Sequence, residues 1–278
     1  MEDKKRHLTG KVAWVTGSSR GIGRVIASHL ASLGATVAIH GTTPFSTRAF
    51  GEADSLDAVA QAIAHEQQVS VLSVHGDLAD EKVVKALTGE IRSKLGRIDI
   101  LINCAGGDIG AHGTAGPMGG KPSKNDAVFI SLEDVRSVLD RNLMSCILAC
   151  REVAPEMMER RGGRIVNFGS IAGLQGNKES ALYSTAKAAV HEYTRCLAVM
   201  LRPFNVAVNA VAPGEVVTPR FVASRQTDPN RFVEAGTLER YGRPIEIAGA
   251  IEFLVSEGAS YITGQVIRID GGSQCWPA

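Results

Sequence analysis

Seven short apolar runs recur along the chain with longer helical patterns between them, and few folds accommodate that alternation. The runs are KVAWVTG, TVAIHG, VSVLSVHGD, RIDILINCAG, GRIVNFGS, NVAVNAVAPG and GQVIRIDGG. Strands of a sheet with one wet face alternate apolar and polar residues; these are apolar nearly throughout, so both faces must be covered. Between them, RVIASHLASLG, the Ala-rich stretch around Asp54 to Gln67, Lys82 to Leu95, Leu132 to Arg160, Tyr183 to Leu201 and IEIAGAIEFLVSEGA carry apolar residues at helical spacing, the first closed by Gly34. A helix between successive strands makes neighbouring strands parallel. The expectation is a single α/β domain over residues 1–278, a doubly wound seven-stranded parallel sheet with helices on both faces.

Two intervals break the rhythm. Residues 107–130 (GDIGAHGTAGPMGGKPSKNDAVFI) form a Gly- and Pro-rich connection longer than a compact domain needs, and residues 215–240 mix Arg, Pro and short helical pieces. Both follow strand C-termini, where open sheets bind ligands, so a functional loop and a substrate lid are expected. Composition narrows the partners. With 44% hydrophobic and 21% charged residues and a net charge of +1, the chain has material for a core and no basic face for nucleic acid or an anionic membrane. MEDKKRHLTG lacks the apolar segment of a secretion signal, and no run reaches the length of a membrane span, which predicts a cytoplasmic protein. Cysteines 104, 146, 150, 196 and 275 are odd in number without a Cys-x-x-Cys pair, so neither metal nor disulfide is expected.

The first strand runs into Thr16-Gly17-Ser18-Ser19-Arg20-Gly21-Ile22-Gly23 and then a helix. This supplies glycines where backbone must pass close to a pyrophosphate, and a helix N-terminus whose free N–H groups face it. The second strand ends in Ile39-His40-Gly41-Thr42-Thr43, with no carboxylate to accept hydrogen bonds from an adenosine ribose. Arg20 is aimed at the same region and suits a 2′-phosphate, so NADP is favoured over NAD. Thr42 or a backbone group serves either cofactor, and His40 reads as a strand-end residue.

YSTAK, Tyr183 to Lys187, sets a phenol and an ammonium four residues apart on one helical face. With TGSSRGIG, NCAG, a Ser ahead of YSTAK and PGEVVT in order, the chain resembles the short-chain dehydrogenase/reductase family from about Thr9 to Gly272. The resemblance implies a Rossmann-like fold and a NAD(P)-dependent oxidoreductase acting on a carbonyl or secondary alcohol. It places Gly17, Ser19, Arg20, Gly21, Ile22 and Gly23 on the cofactor, with Asp77 and Leu78 flanking the adenine. Asn103, Ala105 and Gly106 match the family's NNAG element, Cys104 replacing its second Asn. Pro213, Gly214, Val216 and Thr218 match the wall that holds the carboxamide of the nicotinamide. The family's catalytic four map onto Asn142, Ser170, Tyr183 and Lys187, with Tyr183 and Lys187 also touching the cofactor.

Hydride transfer at an alcohol carbon must be coupled to proton movement at its oxygen, or a full alkoxide charge would develop in a dry pocket. Tyr183 is the expected proton carrier. A free phenol titrates near pH 10, and Lys187 together with an oxidised nicotinamide favours phenolate. Ser170 is expected to donate to the substrate oxygen, Lys187 to hold the nicotinamide ribose, and Asn142 to hold a water linking Lys187 to solvent.

The substrate is expected to be a small molecule. His112, Lys121, Lys124, Asn125 and Asp126 in the first irregular interval suggest a polar one, a sugar or keto acid, with Arg220, Arg225 and Arg231 on the lid. A 3-oxoacyl-thioester reductase shares the same motifs, as does a dinucleotide-sensing protein without turnover. A nucleotide-sugar dehydratase or epimerase would need a longer chain. Family resemblance implies a homotetramer; the Cys- and Met-bearing helix face from Leu143 to Met158 is one candidate interface, and the tail ending in Trp276 is expected to pack on a neighbouring subunit.

Overall fold

The structure is a computed structural model, described here for residues 6–234 and 236–276. β1 (Val12–Thr16), β2 (Thr36–Gly41), β3 (Val71–His75), β4 (Ile100–Asn103), β5 (Gly163–Phe168), β6 (Val206–Pro213) and β7 (Val266–Ile269) form one sheet in the order β3-β2-β1-β4-β5-β6-β7. Every neighbouring pair is parallel. The chain leaves β1 toward β2 and β3, then returns to lay β4 on β1's other side. A crevice therefore opens beyond the C-terminal ends of β1 and β4.

Residue alternation along the strands feeds two separate cores. Ala13, Val15, Val37, Ile39, Ile100 and Ile102 pack against α1 (Gly21–Ser32), α2 (Leu56–Gln67) and α9 (Pro244–Val255). Val12, Trp14, Ala38, Leu101 and Ile165 face α3 (Glu81–Leu95), α6 (Ser145–Glu159) and α7 (Ala181–Leu201). Burial on both faces is why the runs lack polar alternation. The remaining helices are short: α4 (Pro117–Gly120), α5 (Leu132–Leu139) and α8 (Pro219–Ala223).

The helix expected to run unbroken from Leu132 to Arg160 instead contains a π turn at Asp140–Met144, between α5 and α6. Asn142 causes part of this, since its amide nitrogen takes the carbonyl of Val138 four residues back. Of the helix face from Leu143 to Met158 expected at an interface, Met144 is exposed and Leu143, Leu148 and Met158 are partly buried, but most of its small and sulfur-bearing residues are not on the surface. Cys146, Ala149, Cys150, Val153, Ala154 and Met157 are buried against the chain's own sheet and unavailable to a neighbour. No helix among the described residues is long and apolar enough to cross a membrane.

Candidate active site

The glycine turn closes on the crevice. Gly17 has φ +65°, and a Cβ there would sit 2.6 Å from the Cα of Ala105, so β1 and β4 approach too closely for any side chain. A Cβ at Gly23 would meet the Gly17 carbonyl at 2.5 Å. Space of this shape, bounded by backbone and open to a helix N-terminus whose N-cap residue Arg20 makes no capping bond, fits a dinucleotide pyrophosphate.

His40 and Ser18 brace the turn from behind. The Gly17 N–H donates to His40 Nδ1 at 3.1 Å, His40 Nε2 bonds the Gly76 carbonyl at 3.0 Å, and the His40 N–H donates to Ser18 Oγ at 2.8 Å. An imidazole accepting at Nδ1 must carry its proton at Nε2 and be neutral. Burial accordingly pushes His40 down to about 4, and His191, which accepts the Ser170 N–H at 3.3 Å, to about 4 as well. In the unfolded chain both titrate near 6.5. Above that value they cost nothing; from pH 6.5 down to 4 the unfolded chain binds protons that the fold refuses, and stability falls. The unfolding free energy from urea titration is expected to drop over that range by up to about 1.4 kcal/mol per pH unit per histidine. A His40→Asn, His191→Asn double variant should flatten the slope; an unchanged slope would contradict the assignment.

At the outer end of the crevice, Arg20 donates through Nη1 to the Ser46 carbonyl and lies over the Phe50 ring, 5.3 Å from its centroid. Glu52 stands beside it. Its Oε2 accepts the Gly21 N–H at 2.8 Å, while Oε1 is buried without a partner. The 46–52 segment thus brings to the crevice a carboxylate that the end of β2 lacks. Arg141, from the π turn, lines the same space, its Nε buried without a partner. Thr42, Asp77 and Leu78 line it too.

At the inner end, Ser170, Tyr183 and Lys187 meet beside Ala105, Gly106, Pro213 and Gly214. Ser170 opens the 3₁₀ turn after β5, and α7 carries the other two. The Lys187 ammonium donates to the Phe168 carbonyl at 2.7 Å and lies 5.7 Å from the centroid of the Tyr183 ring. Its burial lowers it to about 8. Burial raises the Tyr183 phenol, against a hydrogen bond from Ser170 and the charge of Arg220. Lys187 therefore lies over the Tyr183 ring while its ammonium is bonded to the Phe168 carbonyl, and Arg220 is a second cation lining the same crevice. Val216 and Thr218 complete the wall, Thr218 capping α8 through the Phe221 N–H at 3.1 Å.

Two expected residues stand behind the crevice. Asn142 Oδ1 accepts the Gly107 N–H at 2.9 Å, and its amide nitrogen donates to the carbonyls of Gly107 and Val138. With both amide hydrogens committed, the Asn142 side chain has only acceptor capacity left, at Oδ1. Asn103 does not line the crevice. Its side chain donates to Asn167 at 2.9 Å and to Cys150 at 3.1 Å, joining a buried polar chain that continues from Asn167 to Thr194. Parallel register places Asn103 opposite Asn167, and both side chains turn inward together.

The crevice holds about 560 Å³, within the range of small-molecule sites. Among the described residues no group of three or more His, Cys, Asp or Glu could hold a metal ion. A family model described as enoyl-(acyl carrier protein) reductase matches residues 17–274. The chain belongs to the short-chain dehydrogenase/reductase family. A 3-oxoacyl-(acyl-carrier-protein) reductase of Aquifex aeolicus is 39% identical over 95% of this chain and 98% of its own. A cyclohexanol dehydrogenase of Rhodococcus is 39% identical over 95% of this chain and 96% of its own. The structure of a 7α-hydroxysteroid dehydrogenase complexed with NADH and 7-oxo glycochenodeoxycholic acid superimposes with a TM-score of 0.80, at 29% identity, covering 98% of this chain and 97% of that one.

Within this short-chain dehydrogenase/reductase, Glu52, His191 and Arg141 have no signal in the motifs, while His40 reads in the sequence only as a strand-end residue and Arg220 only as part of the lid. Each reaches the site from a different segment. The missing acid at the end of β2 reads as favouring NADP, and nothing in the sequence points to Glu52.

Proposed function

We propose that the chain is a NAD(P)-dependent oxidoreductase of carbonyl and secondary alcohol groups, with Tyr183 as the general acid and base. The observation that carries this reading is the convergence of the Tyr183 phenol, Ser170 and Lys187 on one crevice with the glycine turn. A nicotinamide dinucleotide, when bound, supplies or accepts the hydride. Gly17, Ser19, Gly21, Ile22 and Gly23 cradle its phosphates, while Ala105, Gly106, Pro213, Gly214, Val216 and Thr218 wall the nicotinamide end. Ser170 donates to the substrate oxygen, Tyr183 moves the proton at that oxygen, and Lys187 holds the ribose. Asn142 positions Gly107 and a water leading to Lys187. The test is absorbance at the reduced-nicotinamide band over a panel of alcohols and ketones, with NADP and NAD in parallel. No turnover with any member would overturn the reading.

NADP is the preferred cofactor in this proposal, because Arg20 and Arg141 both present cations where a 2′-phosphate would lie. Glu52 narrows the margin, since its carboxylate repels that phosphate and suits a ribose hydroxyl. Glu52→Gln is expected to raise the NADP-to-NAD ratio of kcat/KM about tenfold, roughly 1.4 kcal/mol, and Arg20→Ala to lower it by a similar factor. A ratio unmoved in both variants would remove these residues from cofactor choice.

A 3-oxoacyl-thioester reductase is the second reading, supported by the Aquifex relative. A cytoplasmic homotetramer is proposed from the family, with the half-buried strand β7 and exposed Phe253 and Tyr261 as apolar surface for a neighbour. Light scattering would give four times the 29.4 kDa chain mass, and a monomer mass would refute it. The tail is anchored within its own chain, Arg268 donating to the carbonyls of Gln274 and Trp276, while the Trp276 side chain is left 44% exposed for such a contact.

A further inference from the structure

Arg220 lines the same crevice as Tyr183, with one edge of its guanidinium uncommitted. On α8, its Nη2 donates to the Asp108 carbonyl at 2.6 Å and its Nε to the Gly119 carbonyl at 3.3 Å. Those two bonds cross from the 215–240 interval to the 107–130 connection and fix the plane of the group. The third nitrogen, Nη1, faces Gly107 on the crevice and has no hydrogen-bond partner among the described residues. No carboxylate among them pairs with Arg220 either. Asp108 offers it a backbone oxygen and points its carboxylate at Asn125 and Ser180, 2.7 and 2.9 Å away. Arg225, also on the crevice, shares the single carboxylate of Glu215 with Arg231. Lys121 adds another cation close enough to feel both Arg220 and Arg225.

A guanidinium largely removed from water without an anion is costly, and the cost is recovered when an anion arrives. We propose that the substrate carries a carboxylate close to its reacting carbon and that Arg220 receives it through the Nη1 edge, making this an oxo-acid or hydroxy-acid oxidoreductase. The proposal rests on the oxidoreductase reading and narrows its substrate class. Planar donors suit a carboxylate. The carboxylate is placed close to the reacting carbon because Arg220 and Tyr183 line the same crevice and the Nη1 edge faces Gly107, next to Gly106 on the same wall as Tyr183 and Lys187.

The test uses the full-length enzyme with C4 to C6 2-oxo and 3-oxo acids, each paired with its methyl ester and its N-acetylcysteamine thioester. For the best acid, kcat/KM is expected to exceed that of its ester at least tenfold. In Arg220→Gln the ratio should fall to about one, chiefly through KM of the acid, and Arg220→Lys should restore part of it. Titration of the reduced cofactor by fluorescence reports whether each variant is folded, and a variant that fails to bind is replaced by Arg220→Lys alone. Esters or thioesters turned over as well as acids would overturn the carboxylate site and leave the oxidoreductase standing. An Arg220→Gln loss equal for acid and ester would also overturn it, since that is the signature of an effect on the phenol alone. Nicotinamide oxidation with no member of the set, in an enzyme that turns over other members of the alcohol and ketone panel, would overturn the carboxylate site and leave the oxidoreductase reading standing.

Discussion

Tyr183→Phe is expected to lower kcat by about 10²- to 10⁴-fold, the range lost when a positioned proton carrier is removed. Dinucleotide affinity should remain, because the ring still fills its place and Lys187 keeps its bond to Phe168. The pH dependence separates this from a packing effect. Burial holds the phenol above its ordinary value in the free protein, so near neutrality it is protonated and ready to donate to a carbonyl oxygen. Reduction should therefore be fastest at neutral pH and decline as the phenol ionises at alkaline pH. Oxidation needs the phenolate, and its rate should climb over the same interval. The Phe variant should lose both slopes. Wild-type rates in the variant, or unchanged pH profiles, would remove Tyr183 from the chemistry.

Gly17→Ala is expected to abolish measurable dinucleotide binding and to weaken the fold as well. The new methyl would lie 2.6 Å from the Cα and 2.8 Å from the nitrogen of Ala105, both backbone atoms that cannot rotate away. The residue also has φ +65°, a region costing an alanine about 1–2 kcal/mol before any clash is counted. With the clash added, a loss of roughly 2–4 kcal/mol would lower Tm by about 4–10 °C for a chain of this size. Separation of β1 from β4 would tilt the N-terminus of α1 away from the crevice, so the affinity should fall by more than 100-fold, on the order of 3 kcal/mol. Fluorescence titration with reduced cofactor and thermal unfolding measure the two effects together. Affinity within threefold of wild type would mean that the turn does not cradle the phosphates.

Asn142 illustrates how a motif residue can be located from sequence while its work is not. Its place inside a helical stretch was legible, since an amide is a poor helix former there. Its bonds to Gly107 were not, because the π turn that aims it depends on a segment 35 residues away. Asn103 went the other way. Its motif suggested the crevice, and the register of β4 on β5 turned it into the core.

The strands, their order of appearance, the glycine turn and the Tyr183–Lys187 spacing were all readable from the chain, because each depends on neighbours within a few residues. Apolar periodicity and glycine placement are local constraints, and local constraints leave a pattern. Glu52 on Gly21, His40 on Gly17, His191 on Ser170 and Arg220 on Asp108 span 31, 23, 21 and 112 residues, and only tertiary structure brought them together. Charge and hydrogen-bond partners of that kind are set by which loops meet at the crevice, and meeting depends on the whole sheet having folded.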